Sequence, residues 1–260
     1  MDFHALDWSR PWWAPYRACG EPVLAARRAG MPLHEALNRA LARQPEAPRL
    51  GPQGLPLRFV AQQALPPGQG YEDFVAATGC VPTRDNWHDF FNGLVWLRFG
   101  ALKARLNALH RQALEHEPPP APGRRGALRD ALTLLDENGA WLAAPTPLHE
   151  ALRQRHWQRL FGELRPLWAQ ARLVIVGHAL LEQLLEPRKP LCAHVWGEGE
   201  SPEAPWPPAA ERLRAKPFSP LPVLGVPGWW AANEAPDFYA DAQVFRPPRP
   251  AKTLASAAGG

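Results

Sequence analysis

Residues 71–114 read YEDFVAATGCVPTRDNWHDFFNGLVWLRFGALKARLNALHRQAL, and the spacing of the apolar residues in this stretch decides the fold class. Trp87, Phe90, Phe91, Leu94 and Val95 recur at intervals of three and four, which draws one apolar stripe along a helix. The helix is predicted to start between Thr83 and Asn86, with Thr83 or Asp85 as its cap. Gly100 marks a break or kink, after which Leu102, Leu106, Leu109 and Ala113 carry a second helix. Away from the stripe stand His88, Asp89 and Asn92, with Asp85 one turn earlier. His88 and Asn92 are i, i+4 neighbours and point the same way, a spacing that suits a metal or an oriented substrate. It equally suits a hydrogen-bonded network at a helix start. If the second helix stays in phase, Lys103, Asn107 and His110 extend the polar line.

Working outward, residues 172–187 read RLVIVGHALLEQLLEP, a buried strand from Arg172 to Val176 that turns at Gly177 into a short helix. His178 and Glu182 fall one helical turn apart, and His194 follows in LCAHVW, another strand. His with Glu can bind a metal or pass a proton, although a histidine at a helix start also serves as a cap or core residue. The burial of the strand and the turn at Gly177 predict that His178 faces the same cavity as His88. Between the two blocks, RDALTLLDENGAWLA (129–143) is predicted as two antiparallel strands around a tight turn at Asp136–Gly139, because Asn-Gly favours positive φ. Asp130 would lie on the first strand. Asp136 and Glu137 offer oxygen ligands for Mg²⁺ or Ca²⁺, without the alternating-Asp pattern of a calcium loop. A solvated acidic turn is the plainer reading.

The remaining text divides into short elements. A helix is expected from Pro32 to Arg43, a strand near Leu55 to Ala61, a surface loop at PPPAPG (118–123), and helix from Pro147 to Gln170. Residues 197–222 read as irregular or as a surface helix, and PVLGVPGWW and FYADAQVF as aromatic closing segments. The expected fold is therefore α+β, a single mixed helix/strand domain with aromatic-rich N- and C-terminal extensions. Its parts are an N-terminal aromatic strap (1–30) without sustained period, one globular domain (31–246) and a flexible tail (247–260). No internal repeat is found.

Composition narrows the function classes. Hydrophobic residues at 46% and charged residues at 21% are ordinary for a folded protein, whereas 32 prolines and 12 tryptophans imply long connections with aromatic anchors. Of the 29 basic residues 25 are arginine, which suits anionic groups and equally reflects coding bias. A net charge of +4 comes without a dense Lys/Arg run, so nucleic acid is not expected as a partner. Cys19, Cys80 and Cys192 are scattered, which argues against a disulfide framework and for a reducing, cytoplasmic setting. The opening MDFHALDWSRPWW has acids and no apolar run, so it is not expected to be a signal peptide, and no apolar run is long enough to span a bilayer. The phosphate-binding glycine loops, the serine-hydrolase elbow and paired Cys/His zinc patterns are all missing.

Four blocks, PTRDNWHDFFNGLVWL, RDALTLLDENGA, GHALLE and PVLGVPGWW, resemble in order the bacterial family known as domain of unknown function 3025, over about Trp8 to Arg246. Gly100 departs from the proline of the family pattern. The resemblance implies no activity and assigns no catalytic residue. Two functions stand on the residues themselves. One is a metal-assisted hydrolase or phosphoesterase, with His88, Asp89, Asn92, His178 and Glu182 as catalytic candidates. His88, His178, Glu182, His194 and Asp136 would then be candidate ligands of a divalent metal, and a small molecule the substrate. The other is a non-catalytic binding or assembly protein with a protein partner, whose polar blocks are structural networks. A histidine-and-metal nuclease fits less well, since HDFFN lacks the expected preceding strand.

Overall fold

Helix-period stripes and short apolar strands alternate along the chain. The structure, a computed structural model, describes residues 3–4, 6–45, 48–50, 54–116, 126–196 and 210–247. The helices are α1 (Arg17–Arg28), α2 (Leu33–Leu41), α3 (Tyr71–Thr78), α4 (Trp87–Arg98), α5 (Gly100–His116), α6 (Ala127–Asn138), α7 (Thr146–Arg153), α8 (His178–Gln183) and α9 (Ala210–Arg214). The strands are β1 (Arg49–Leu50), β2 (Leu55–Pro56), β3 (Arg58–Ala61), β4 (Cys80–Thr83), β5 (Gly139–Ala143), β6 (Arg172–Ile175), β7 (Cys192–Trp196) and β8 (Ser219–Pro222). The main sheet has the order β6-β5-β7-β8, with β5 parallel to β7 and the outer pairs antiparallel. Together these make one α+β domain.

The stripe on α4 is the centre of the core: Phe90, Phe91, Leu94 and Val95 have no exposed surface. Helix α4 packs on α8, and α6 packs on α5, α8 and α9. The N-terminal aromatics close over this core, Trp13 stacking on Phe91 with ring centroids 5.0 Å apart. Tyr16, fully buried, donates its hydroxyl proton to the Ile175 carbonyl at 2.5 Å and so ties the N-terminal segment to β6. Among the described residues no helix is long and apolar enough to cross a membrane.

Several expectations are corrected. Residues 127–138 form α6, so Asp136–Gly139 is the end of a helix and not a hairpin turn, and Asp130 is helical. Leu128, Ala131, Leu132 and Leu135 carry the helical period and are all buried, and this outweighs the Asn-Gly signal. Gly139 itself has φ −71°, far from the positive φ of such a turn. The first thirty residues contain α1, which buries Gly20, Val23 and Leu24. The cap of α4 is Asn86, whose side chain accepts from the Asp89 N–H, while Asp85 caps α2 by accepting from the Leu33 N–H at 2.8 Å. The helix predicted from Pro147 to Gln170 is broken by Arg155, at φ 52°, into α7, a π turn and a 3-10 segment. Strand β4 pairs in parallel with β3 and is an element that the sequence pattern does not announce. Of residues 197–222, read as irregular or as a surface helix, 210–214 form α9 and 219–222 the strand β8, while 197–209, the loop at 118–123 and the tail beyond 247 lie outside the described residues.

Gly177 brings two segments into contact. Its φ of −72° is open to any residue, so the sharp exit does not require glycine. The close approach does: a Cβ there would sit 2.5 Å from the Cα and N of Asn138 and from the N of Gly139. The Gly177 and Val176 N–H groups both donate to the Gly139 carbonyl. Two substitutions test these anchors by chemical denaturation. Gly177→Ala should lower stability by about 1–3 kcal/mol, because backbone atoms cannot give way as a flexible side chain can. Tyr16→Phe should lose about 1–3 kcal/mol by leaving a buried carbonyl unpaired, and an unchanged midpoint would show that this bond anchors nothing.

Candidate metal centre

Three chain segments deliver the polar residues to one place. Ahead of α4, the Asp89 carboxylate accepts from the Arg84 backbone N–H at 2.6 Å and from its Nε and Nη2 at 3.0 and 2.9 Å, which fixes the start of the helix. Asp89 is thus buried and committed to that start. His88, its neighbour, reaches towards α8, whose first residue is His178. Asp136 and Glu137 arrive at the C-terminal end of α6, held there by the Gly177 contact.

The hydrogen-bond partners assign the tautomers. His178 Nδ1 lies 2.7 Å from the Asp136 carbonyl oxygen, which can only accept, so Nδ1 carries the proton and Nε2 the lone pair. Burial, together with Lys103 and His88, outweighs the Asp136 carboxylate and drives the His178 pKa down to about 4, so the ring is neutral at neutral pH. His88 Nδ1 lies 2.9 Å from Glu182 Oε2, and a neutral His88 donating there also presents its lone pair at Nε2. The two Nε2 atoms face each other at 3.0 Å, with the rings edge to face at 4.5 Å between centroids. Two lone pairs at that separation repel unless a cation lies between them, either a proton or a metal ion. The Glu137 Oε2 is 3.6 Å from His178 Nε2, and one ligand atom each from His88, Glu137 and His178 fall within 4.8 Å of one another. Among the described residues this is the one such group of potential metal ligands.

Around it runs a supporting layer. Lys103 is buried, contacts the Asp136 carboxylate at 2.5 Å and lies over the Trp96 ring. Burial disfavours the charge on Asp136, but Lys103 and His178 overcome it and hold its pKa below the usual carboxylate range. Glu137 is pushed the other way, by burial first and by the Asp136 charge second. On α4, the Asn92 Nδ2 is 3.4 Å from the Tyr71 hydroxyl, and its Oδ1 is buried without a hydrogen-bond partner. Asn107 donates to the Glu72 carbonyl, and burial lowers the pKa of His110, so the polar line read along α5 is a buried one. The side chains of His88, Glu137 and Glu182 are 32%, 34% and 35% exposed, whereas His178 is 5% exposed. The cluster therefore has a buried floor and an open rim.

The structure brings together His88, His178 and Glu182, as well as the Asp136 backbone, but it gives them different positions. Glu182 contacts the Nδ1 side of His88, opposite the converging lone pairs, and the Asp136 carboxylate is turned to Lys103. Neither aims at the point between the two Nε2 atoms. His194 lies half-buried beside the Phe218 ring at 6.4 Å and supplies no atom to the cluster. The carboxylate that joins the histidines is Glu137, which the sequence offers only as an oxygen ligand of the acidic turn and not as a partner of His88 and His178. The helical spacing of Leu128, Ala131, Leu132 and Leu135 was the signal that could have placed it, since it puts Glu137 on the last turn of a helix.

Two imidazoles whose Nδ1 sides are each held by an oxygen, and whose Nε2 atoms turn to one point, are the arrangement that metal-binding histidines adopt, because the outer bond fixes the ring and raises its basicity. Such a centre can coordinate a divalent ion through two nitrogens and one carboxylate oxygen with positions left for other ligands. No curated protein and no solved structure matches this chain. Residues 57–212 and 207–249 match the family described as "Protein of unknown function (DUF3025)". These segments span most of the chain and carry His88, Glu137 and His178, so the protein belongs to the DUF3025 family.

Proposed function

We propose that His88, His178 and Glu137 bind one divalent metal ion, and that the centre hydrolyses a small-molecule ester or phosphoester. The observation that carries this reading is the convergence of the two Nε2 atoms at 3.0 Å with the Glu137 carboxylate beside them. A bound ion would polarise the substrate and lower the pKa of water. The protein's own groups hold the geometry. Asp136 and Glu182 keep the Nδ1 protons on the outer side of each ring, and Lys103 balances the Asp136 charge. The exposed rim of His88, Glu137 and Glu182 admits a substrate. A non-catalytic assembly protein would need exposed apolar surface, and among the described residues Leu114 is the exposed large hydrophobic side chain. The three cysteines are free, which fits our assignment of the protein to the cytoplasm.

Thermal melts of chelator-treated protein with added Zn²⁺ or Mn²⁺ test the site. Metal that binds only the native state raises the melting temperature. The shift should vanish in His88→Ala, His178→Ala and Glu137→Gln, and stay intact in His194→Ala. Glu182→Gln should keep a site weakened by about 10–100-fold. A shift that survives both histidine replacements would remove the site. Hydrolysis of p-nitrophenyl acetate or phosphate by the metal-loaded protein, lost in the same three variants, tests the chemistry.

The metal-free protein should also show a defined acid limb. With a native pKa near 4 against 6.5 unfolded, His178 binds more protons in the unfolded chain between those values. Stability should therefore be full above about pH 6.5 and fall towards pH 4, by up to about 3 kcal/mol from this one group. Urea titrations across that range should show the slope in wild type and a flatter profile in His178→Gln. Equal slopes would mean that His178 is not held neutral.

A further inference from the structure

A cavity elsewhere in the fold shares no residue with the metal centre. It has a volume of about 810 Å³, with Trp157, Pro190, Pro220 and Pro222 among its walls and Arg155 and Arg246 at its lining. Cys192 and Pro222 are cross-strand partners on β7 and β8, so the floor is part of the main sheet. Rigid apolar walls with a few polar groups, at this volume, are the usual form of a small-ligand site.

The two arginines give the cavity its chemistry. Among the described residues neither forms an ion pair with a carboxylate. Arg246 donates through Nε to the Gln243 carbonyl, and its own carbonyl accepts from Trp157 Nε1 at 2.8 Å, which ties the C-terminal segment to the wall. Arg155 occupies an unusual backbone position. The Arg155 N–H donates to the Leu152 carbonyl at 3.0 Å and the His156 N–H to the Ala151 carbonyl at 2.9 Å, the paired bonds that close a helix through a left-handed residue. Glycine is the usual occupant, yet arginine stands there at φ 52°. The closing bonds of the helix hold this conformation in place despite its cost for a residue with a Cβ. Both guanidinium groups also act on the Cys192 thiol, although burial prevails and pushes it up to about 11.

We propose that this cavity binds a small organic anion, with a planar apolar body against Trp157 and the prolines and a carboxylate or phosphate head held by Arg155 and Arg246. The test is calorimetric titration of chelator-treated full-length protein with phenyl phosphate, benzoate and inorganic phosphate. Chelation keeps the metal centre from contributing. At least one aromatic anion should bind saturably with Kd below about 1 mM, and inorganic phosphate at least about tenfold more weakly. The tighter of the two aromatic anions names the head group. Arg155→Gly should weaken binding at least about tenfold while the melting temperature holds or rises, because glycine relieves the backbone. Arg246→Gln should weaken it as well. Failure of both aromatic anions to bind at about 10 mM would overturn the proposal, since a site weaker than that is not built for them. So would wild-type binding by Arg155→Gly, or inorganic phosphate binding as tightly as the aromatic anions.

Discussion

The contact of Gly177 with the backbone of Asn138 and Gly139 is the constraint on which the polar centre depends. It lets the end of α6 and the start of α8 touch without a side chain between them. Only then can the Asp136 carbonyl reach His178 Nδ1 at 2.7 Å, and that bond sets the tautomer that sends the Nε2 lone pair towards His88. A separation wider by one methyl group would leave the His178 ring free to turn, and the two nitrogens would no longer be held face to face.

The centre also shows how a buried charge is tolerated. Lys103 at 5% exposure is held by the Asp136 carboxylate and the Trp96 ring, so it is neither unpaired nor unsolvated by dipoles. Removing one member of such a pair strands the other, which is why buried pairs are easier to keep than to break singly. Lys103 in turn helps hold His178 neutral, and neutrality leaves its nitrogen free to act as a donor of electrons. The stability of the network and the readiness of the lone pair are consequences of the same charges.

Much of this was legible in the sequence because α4 carries an unbroken apolar stripe. Trp87, Phe90, Phe91 and Leu94 fix its inner face, and His88 is thereby set on another side. A strand that ends at Gly177 before a short helix likewise brought His178 to a strand end, and the expectation that His88 and His178 meet rests on those two patterns. What could not be read depended on competing local signals. Asn138-Gly139 looks like a hairpin until the tertiary burial of Leu132 and Leu135 is known, and a hairpin there would keep Glu137 away from the histidines. Asp89 and Asn92 share the helix with His88, but their partners, Arg84 and Tyr71, come from loop and helix geometry that spacing does not encode. Arg155 breaks a helix from a position where no glycine announces the break.

The bond between Tyr16 and Ile175 joins residues 159 apart in sequence. On the ribosome, the phenol of Tyr16 is made long before its acceptor exists. Contacts of this span close late, since the entropy of a long loop must be overcome first. The segment holding Trp12, Trp13 and Tyr16 therefore emerges before two of its ring partners, Phe91 and Phe99, which follow only after many more residues have been added. Apolar segments left bare in this way are prone to association until the later residues close over them.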